Sequence, residues 1–223
     1  MQYRTDPLRT NECYHIFTRS IAKYIIFNND YDYLRLVEML NLFQYKDFCY
    51  KYHMFKRLAI STQTRIINEL HRNGNRSVDI IAFCIMPTHI HLVLQQLEDG
   101  GISNFMSKVL NSYSRYFNIK HDRIGPLWES RFKNKHIEDD EQLLHTTRYI
   151  HLNPVTANLV DKPEDYEYSS YNEYIMPYTR KICNLDNLMD FAPEKYKDFV
   201  DDRISYQREL KIIKKILLDY LTY

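Results

Sequence analysis

Apolar and polar residues follow two different periods along this chain, and each switch between them marks a change of element. Residues 14–19 (YHIFTR) are aromatic and β-branched, which favours a strand, and residues 25–27 (IIF) read as its hairpin partner or as a turn leading onward. Asn29 or Asp30 can cap a helix whose apolar positions Leu34, Val37, Leu40 and Leu42 fall near helical spacing. Residues 58–70 read as a second helix, with Ile66, Ile67 and Leu70 on one side and a stop at 72–75 (RNGN). Residues 78–86 follow as a strand, and a turn at Pro87-Thr88 folds 89–95 back as its antiparallel partner.

Gly100-Gly101 then breaks the chain, and Ser103 can cap a helix to about Phe117 with Phe105, Val109 and Tyr113 inward. Residues 122–126 form a turn and 131–137 a further strand. Asp139 or Asp140 opens a helix over 141–153, its acidic first turn matching the macrodipole. Interleaved strands and helices with hairpins predict an α+β sandwich, with helices on a mainly antiparallel sheet. Beyond Asp165 the pattern changes. Residues 166–171 are tyrosine-rich and polar, and 193–199 and 204–220 read as helices of a C-terminal appendage, dividing the chain into 1–165 and 166–223.

Length and composition narrow the class. The chain has 223 residues, enough for a sizeable core in one domain. Its net charge of +1 gives no strong field at the level of the whole molecule. Cys13, Cys49, Cys84 and Cys183 are scattered with no CxxC pair, against a zinc ribbon or disulfide scaffold and in keeping with reduced thiols. The first residues lack the apolar core of a secretory signal, and no uninterrupted apolar run of about 18 residues occurs. The expectation is a soluble cytoplasmic protein with no membrane partner.

Two segments carry candidate chemistry. His89 and His91 lie two apart on a strand, so both imidazoles project from one face, as metal ligands or as packing residues of a half-buried strand. Tyr149 and Asn153 stand at i and i+4 on a helix and share a face. Two imidazoles and one amide oxygen leave open positions on a divalent ion for substrate oxygens. A tyrosine nucleophile conserves the energy of a cleaved phosphodiester for rejoining, which water does not. Against this, most of the 20 tyrosines must be structural, and Asn153-Pro154 is a common helix end. Between the two segments, Arg115, Lys120, Arg123, Arg131, Lys133 and Lys135 face only Asp122 and Glu129, with Tyr116, Phe117, Trp128 and Phe132 interleaved. This is the mixture that single strands need, although Phe117 and Trp128 also suit the core. His151 reads as structural or DNA-facing, and Tyr113 and Tyr116 as core or stacking residues.

The blocks MPTHIHLVL (86–94), GPLWESRFK (125–133) and RYIHLNPV (148–155), in that order, resemble the REP-associated tyrosine transposases of the single-tyrosine HUH superfamily. YHIFTR (14–19), YFN (116–118) and YSSY (168–171) extend the resemblance over most of residues 10–175. It implies a ferredoxin-like α/β sandwich, with His89, His91 and Asn153 holding Mg²⁺ or Mn²⁺. Asn153 is the weaker of these, since other branches carry Gln there. It further implies that Tyr149 takes a 5′-phosphate of hairpin-bearing single-stranded DNA and leaves a free 3′-OH, in a catalytic domain over 1–165, with a monomer favoured over a dimer. The same motifs fit a domesticated hairpin-DNA-binding protein without turnover. An unrelated metal hydrolase built on His89 and His91 needs a carboxylate or third His nearby, and leaves 148–155 unexplained.

Overall fold

A computed structural model describes residues 6–176, 182–185 and 192–204. In chain order the elements are β1 (Cys13–Arg19), α1 (Asp30–Phe43), α2 (Tyr52–Phe55), α3 (Ile60–Asn73), β2 (Val78–Met86), β3 (His89–Gln96), α4 (Gly101–Lys120), β4 (Lys133–Ile137), α5 (Asp140–Thr156), α6 (Tyr171–Ile175) and α7 (Pro193–Asp201). The four strands form one antiparallel sheet in the order β2-β3-β1-β4, with helices packed against it. This is the α+β sandwich expected from the sequence.

Local chemistry explains most boundaries. Asn29 Oδ1 accepts the Asp32 N–H at 3.2 Å and caps α1, and Asp139 Oδ1 accepts the Gln142 N–H at 2.7 Å and caps α5. Gly74 ends α3 in the left-handed region at φ 62°, which glycine adopts without steric cost.

Several expectations are corrected. Of the two readings for residues 25–27, the hairpin partner is not formed and the turn leading onward is: the Ile26 N–H bonds to the Pro87 carbonyl, and the chain runs on into α1. Leu34 is 57% exposed rather than inward. Helix α4 is capped at Gly100, not Ser103, and continues past Phe117 to Lys120. Helix α5 carries Pro154 inside it and runs to Thr156, so Asn153-Pro154 is not its end. Of residues 204–220, only Ile204 is among those described.

Strands β2 and β3 are largely buried on both faces. Tyr14, Ile16, Ile80, Phe83, Ile85, Ile90, Leu92 and Leu94 join α1 and α4 through Leu36, Met39, Leu40, Phe105, Val109 and Tyr113. Ala82, Cys84, Met86 and Val93 on the other face meet Leu143 and Ile150 of α5. Strand β2 ends the sheet order yet is buried throughout, because neighbouring chain covers its outer edge. Ile85 donates to the Tyr168 carbonyl, Ser170 to that of Phe83 and Asn184 to that of Ile80. The edge that would otherwise invite pairing with another chain is thereby closed.

Helix α5 is fixed from behind by α7. His151, fully buried, pairs through Nδ1 with the Tyr196 hydroxyl and through Nε2 with Ser170 Oγ, both at 2.7 Å. Arg148 bonds the Phe199 carbonyl at 3.1 Å and lies 3.9 Å over that ring. His151 is thus structural, the first of its two expected roles, and its neighbours orient the face of α5 turned to the sheet.

Candidate active site

The site forms where α5 crosses the α5-facing side of β3 and β1. His89 and His91 alternate with Ile90 along β3, so both rings stand on that side while Ile90 enters the opposite core. Their ring centroids are 5.1 Å apart in an edge-to-face arrangement. His15, from β1, joins them: its Nε2 is 3.0 Å from His91 Nδ1, and the two rings stack with centroids 5.2 Å apart. Tyr149 descends from α5 onto this group, its ring 5.9 Å from His15 and 5.8 Å from His91.

Asn153 follows Tyr149 by one helical turn and interacts with the phenol. Its Nδ2 is nevertheless buried without a hydrogen-bond partner, so the carboxamide approaches Tyr149 without a well-formed bond. The carboxamide oxygen is a neutral acceptor of the kind that can face a ligand. Its chemistry and that of two imidazoles fit a hard or borderline divalent ion. The described residues contain no group of three His, Cys, Asp or Glu placed to hold an ion together.

Burial decides the charge state of the imidazoles. It lowers the His89 pKa to about 4, with Arg19 adding to the effect. Burial likewise holds His15 near 4, aided by Lys135, and takes His91 well below the ordinary range, aided by His15, His89 and Arg19. All three rings are neutral at neutral pH, the form whose lone pair binds metal. Burial raises the Tyr149 pKa, while Arg19 and Asn153 oppose that rise. At 44% exposure the phenol can still be reached from solvent.

A cavity of about 160 Å³ opens beside the histidines, lined by Phe17, Arg19, His89, His91, Glu129, Arg131 and Lys133 among others. Lys133 and Lys135 lie directly across from Phe17 and His15 in the β1–β4 register, exposed on the active-site side. Of the six expected DNA-binding cations, Arg131 and Lys133 therefore lie beside the histidines and Lys135 across from His15. The other three lie elsewhere. Arg115 belongs to α4, across the sheet. Lys120 Nζ is ion-paired with Asp32 at 2.6 Å, and Arg123 staples its own loop through Asn118 Oδ1 and the Pro126 carbonyl. His15 and Arg19 were not singled out from the sequence. Strand alternation on 14–19 was the available signal, since it places His15, Phe17 and Arg19 on one face.

Tyr113 and Tyr116, expected as core or stacking residues, are tied down within the fold. The Tyr113 hydroxyl donates to the Ile26 carbonyl and that of Tyr116 to Asp32, both at 2.6 Å. Phe117 is buried in the core, and the Trp128 indole donates to the Leu110 carbonyl at 3.3 Å. No helix of the described residues is long and apolar enough to cross a membrane.

Comparisons with known proteins agree with the motif resemblance. Residues 47–153 match the family model described as Transposase IS200 like. Over 104 residues the chain is 31% identical to a Haemophilus influenzae protein named as a REP-associated tyrosine transposase; the match covers 42% of this chain and 59% of that protein's length. The fold matches that of a REP-associated tyrosine transposase solved bound to a REP hairpin, with a TM-score of 0.52 and 14% identity over 86% of this chain and 96% of the other. A Deinococcus radiodurans protein, its crystal structure named as that of a transposase, aligns with a TM-score of 0.36 and 13% identity over 67% of this chain and 95% of the other.

Proposed function

We propose that the protein is a metal-dependent single-stranded DNA nicking and joining enzyme of the transposase type, acting near hairpins through Tyr149. The observation that carries the reading is the convergence of Tyr149 on His15 and His91, with His89 and Asn153 beside it. His89, His91 and Asn153 would hold the ion. When bound, Mg²⁺ or Mn²⁺ would polarise the scissile phosphate and offset charge developing on it.

The remaining work falls to the chain's own side chains. Tyr149 Oη attacks the phosphorus, a bond forms from phenolic oxygen to the 5′-phosphate, and the P–O3′ bond breaks. The phenol gives up its proton and the departing 3′ oxygen takes one up, leaving a free 3′-OH. Attack by a 3′-OH on the phosphotyrosine reverses these bonds and joins strands. Arg19, whose charge already favours the phenolate, offsets the rise that burial causes. Arg131, Lys133 and Lys135 take the neighbouring phosphates.

The test is incubation with labelled hairpin-bearing oligonucleotide. A protein–DNA species that survives denaturation is expected with Mn²⁺ and not with EDTA. Hairpin binding without such a species under either condition favours the domesticated binding protein instead.

DNA contact extends, in this reading, to the α1–α4 side of the sheet. There a cavity of about 520 Å³ lined by Arg35, Arg57, Arg115 and Lys120 shares His53, Ser112 and Arg115 with one of about 500 Å³ lined by Lys46, Lys51 and Lys108. Lys120 pairs with Asp32 and Lys46 with Glu98, but no carboxylate lines either cavity, and Arg35, Arg57, Arg115, Lys51 and Lys108 leave an imbalance suited to a phosphate backbone in a chain of net charge +1. Replacing Arg57 and Arg115 together by Glu is expected to weaken hairpin binding at least about tenfold at low salt. The slope of log K against log salt should flatten by roughly two. Fluorescence anisotropy across a salt series checks this, and an unchanged slope confines DNA to the Tyr149 side.

A further inference from the structure

His15 has no assigned part in the reaction just described, yet its ring meets both His91 and Tyr149. We propose that His15 is a positioning residue: its Nε2 accepts the Nδ1–H of His91 and fixes the tautomer that leaves the His91 Nε2 lone pair for a divalent cation. The inference rests on the metal-site reading of His89, His91 and Asn153.

Three observations point the same way. His15 and His91 belong to adjacent antiparallel strands, with His91 opposite Phe17 and His15 one alternation further along, so the rings meet diagonally on one face. The 3.0 Å contact joins His15 Nε2 to His91 Nδ1, turning the Nε2 edge of His91 away from His15. His89 is held in the same manner, its Nδ1 lying 2.9 Å from Thr88 Oγ1. Each candidate ligand therefore has Nδ1 engaged, and neither Nε2 has a hydrogen bond among the described residues. Two rings with Nδ1 held and Nε2 open form a matched pair, as when a neighbouring acceptor orients a metal-binding imidazole.

His15 is not itself placed as a third ligand. The nitrogen it turns inward already faces His91, and no trio of His, Cys, Asp or Glu among the described residues is arranged around one ion. Its hydrogen bond also keeps the His91 ring from turning about its χ2 axis, which would put ring carbons where the two nitrogens stand.

The test uses the full chain with ¹⁵N-labelled histidine. Two-bond ¹H–¹⁵N spectra of the metal-free protein are expected to show His91 as the Nδ1–H tautomer, with its resonance identified by loss in His91→Gln. In His15→Phe, which keeps a stacking ring but no acceptor, His91 should shift toward the Nε2–H form. Mn²⁺ affinity, titrated by electron paramagnetic resonance, should fall about 10- to 100-fold. His15→Gln, whose side-chain oxygen can reach the position of Nε2, should restore both readouts in large part. Nε2–H as the His91 tautomer of the unsubstituted protein overturns the proposal, and that spectrum decides even if His15→Phe does not fold. Unchanged Mn²⁺ affinity in a folded His15→Phe overturns it equally. Failure of the unsubstituted protein to take up Mn²⁺, with the Nδ1–H tautomer present, overturns instead the metal-site reading beneath it.

Discussion

Tyr149→Phe is expected to lower formation of the covalent protein–DNA species by more than about a thousandfold, while hairpin affinity changes by less than about threefold. The substitution removes one oxygen and keeps the ring that lies against His15 and His91. The phenol is 44% exposed, so stability should move by no more than about 0.5 kcal/mol. Loss of the adduct then reports on chemistry rather than folding. Denaturing gels with labelled hairpin and Mn²⁺ measure the adduct, and anisotropy without metal measures binding. An adduct that persists in this variant places the nucleophile elsewhere, although Tyr113 and Tyr116 are poor substitutes. Burial raises both of their phenols, the Asp32 carboxylate adds to the rise, and both hydroxyls are engaged within the fold.

The parts of this site legible in the sequence are those set by short-range periodicity. His89 and His91 share a strand face because side chains alternate, and Tyr149 and Asn153 share a helix face because four residues nearly complete a turn. The caps at Asn29 and Asp139 and the stop at Gly74 were likewise visible, since each is a local hydrogen-bonding or backbone requirement. What escaped depends on register between strands or on distant partners. His15 becomes part of the site only because β1 pairs with β3 in a register that brings it diagonal to His91. Pro154 was a false stop signal: α5 continues for two residues beyond it, its end secured by the Ala157 N–H on the Asn153 carbonyl. Lys120 shows the limit most clearly. A lysine in a basic stretch gives no local sign that a carboxylate some ninety residues earlier awaits it.

That carboxylate is where the largest loss of stability is expected. Asp32 is fully buried, and its Oδ1 accepts from Lys120 Nζ and the Tyr116 hydroxyl while Oδ2 accepts the Asn28 N–H at 3.1 Å. Burial alone would raise its pKa, yet the hydrogen bonds from Lys120, Tyr116 and Asn28 outweigh it and the net direction is downward. Asp32→Ala leaves an ammonium, a phenol and a backbone N–H without their acceptor, and is expected to cost roughly 3–5 kcal/mol. For a chain of this size that corresponds to a melting temperature lower by roughly 6–20 °C.

Asp32→Asn keeps the shape and one acceptor, so it should cost less and isolate the charge. A carboxyl whose folded pKa lies below its unfolded one stabilises fully above the unfolded value and loses that contribution as pH falls through the folded value. The stability gap between the unsubstituted protein and Asp32→Asn should therefore be constant near neutrality and narrow as pH drops below the ordinary value of 3.8. Chemical denaturation at a series of pH values measures it, and a gap independent of pH assigns the effect to packing rather than to the ion pair. The pair also anchors the C-terminal end of α4 to the start of α1, beneath the Arg35–Arg115 groove. Loss of hairpin affinity in Asp32→Ala beyond that in Asp32→Asn would show that the groove's shape, and not only its charge, receives DNA.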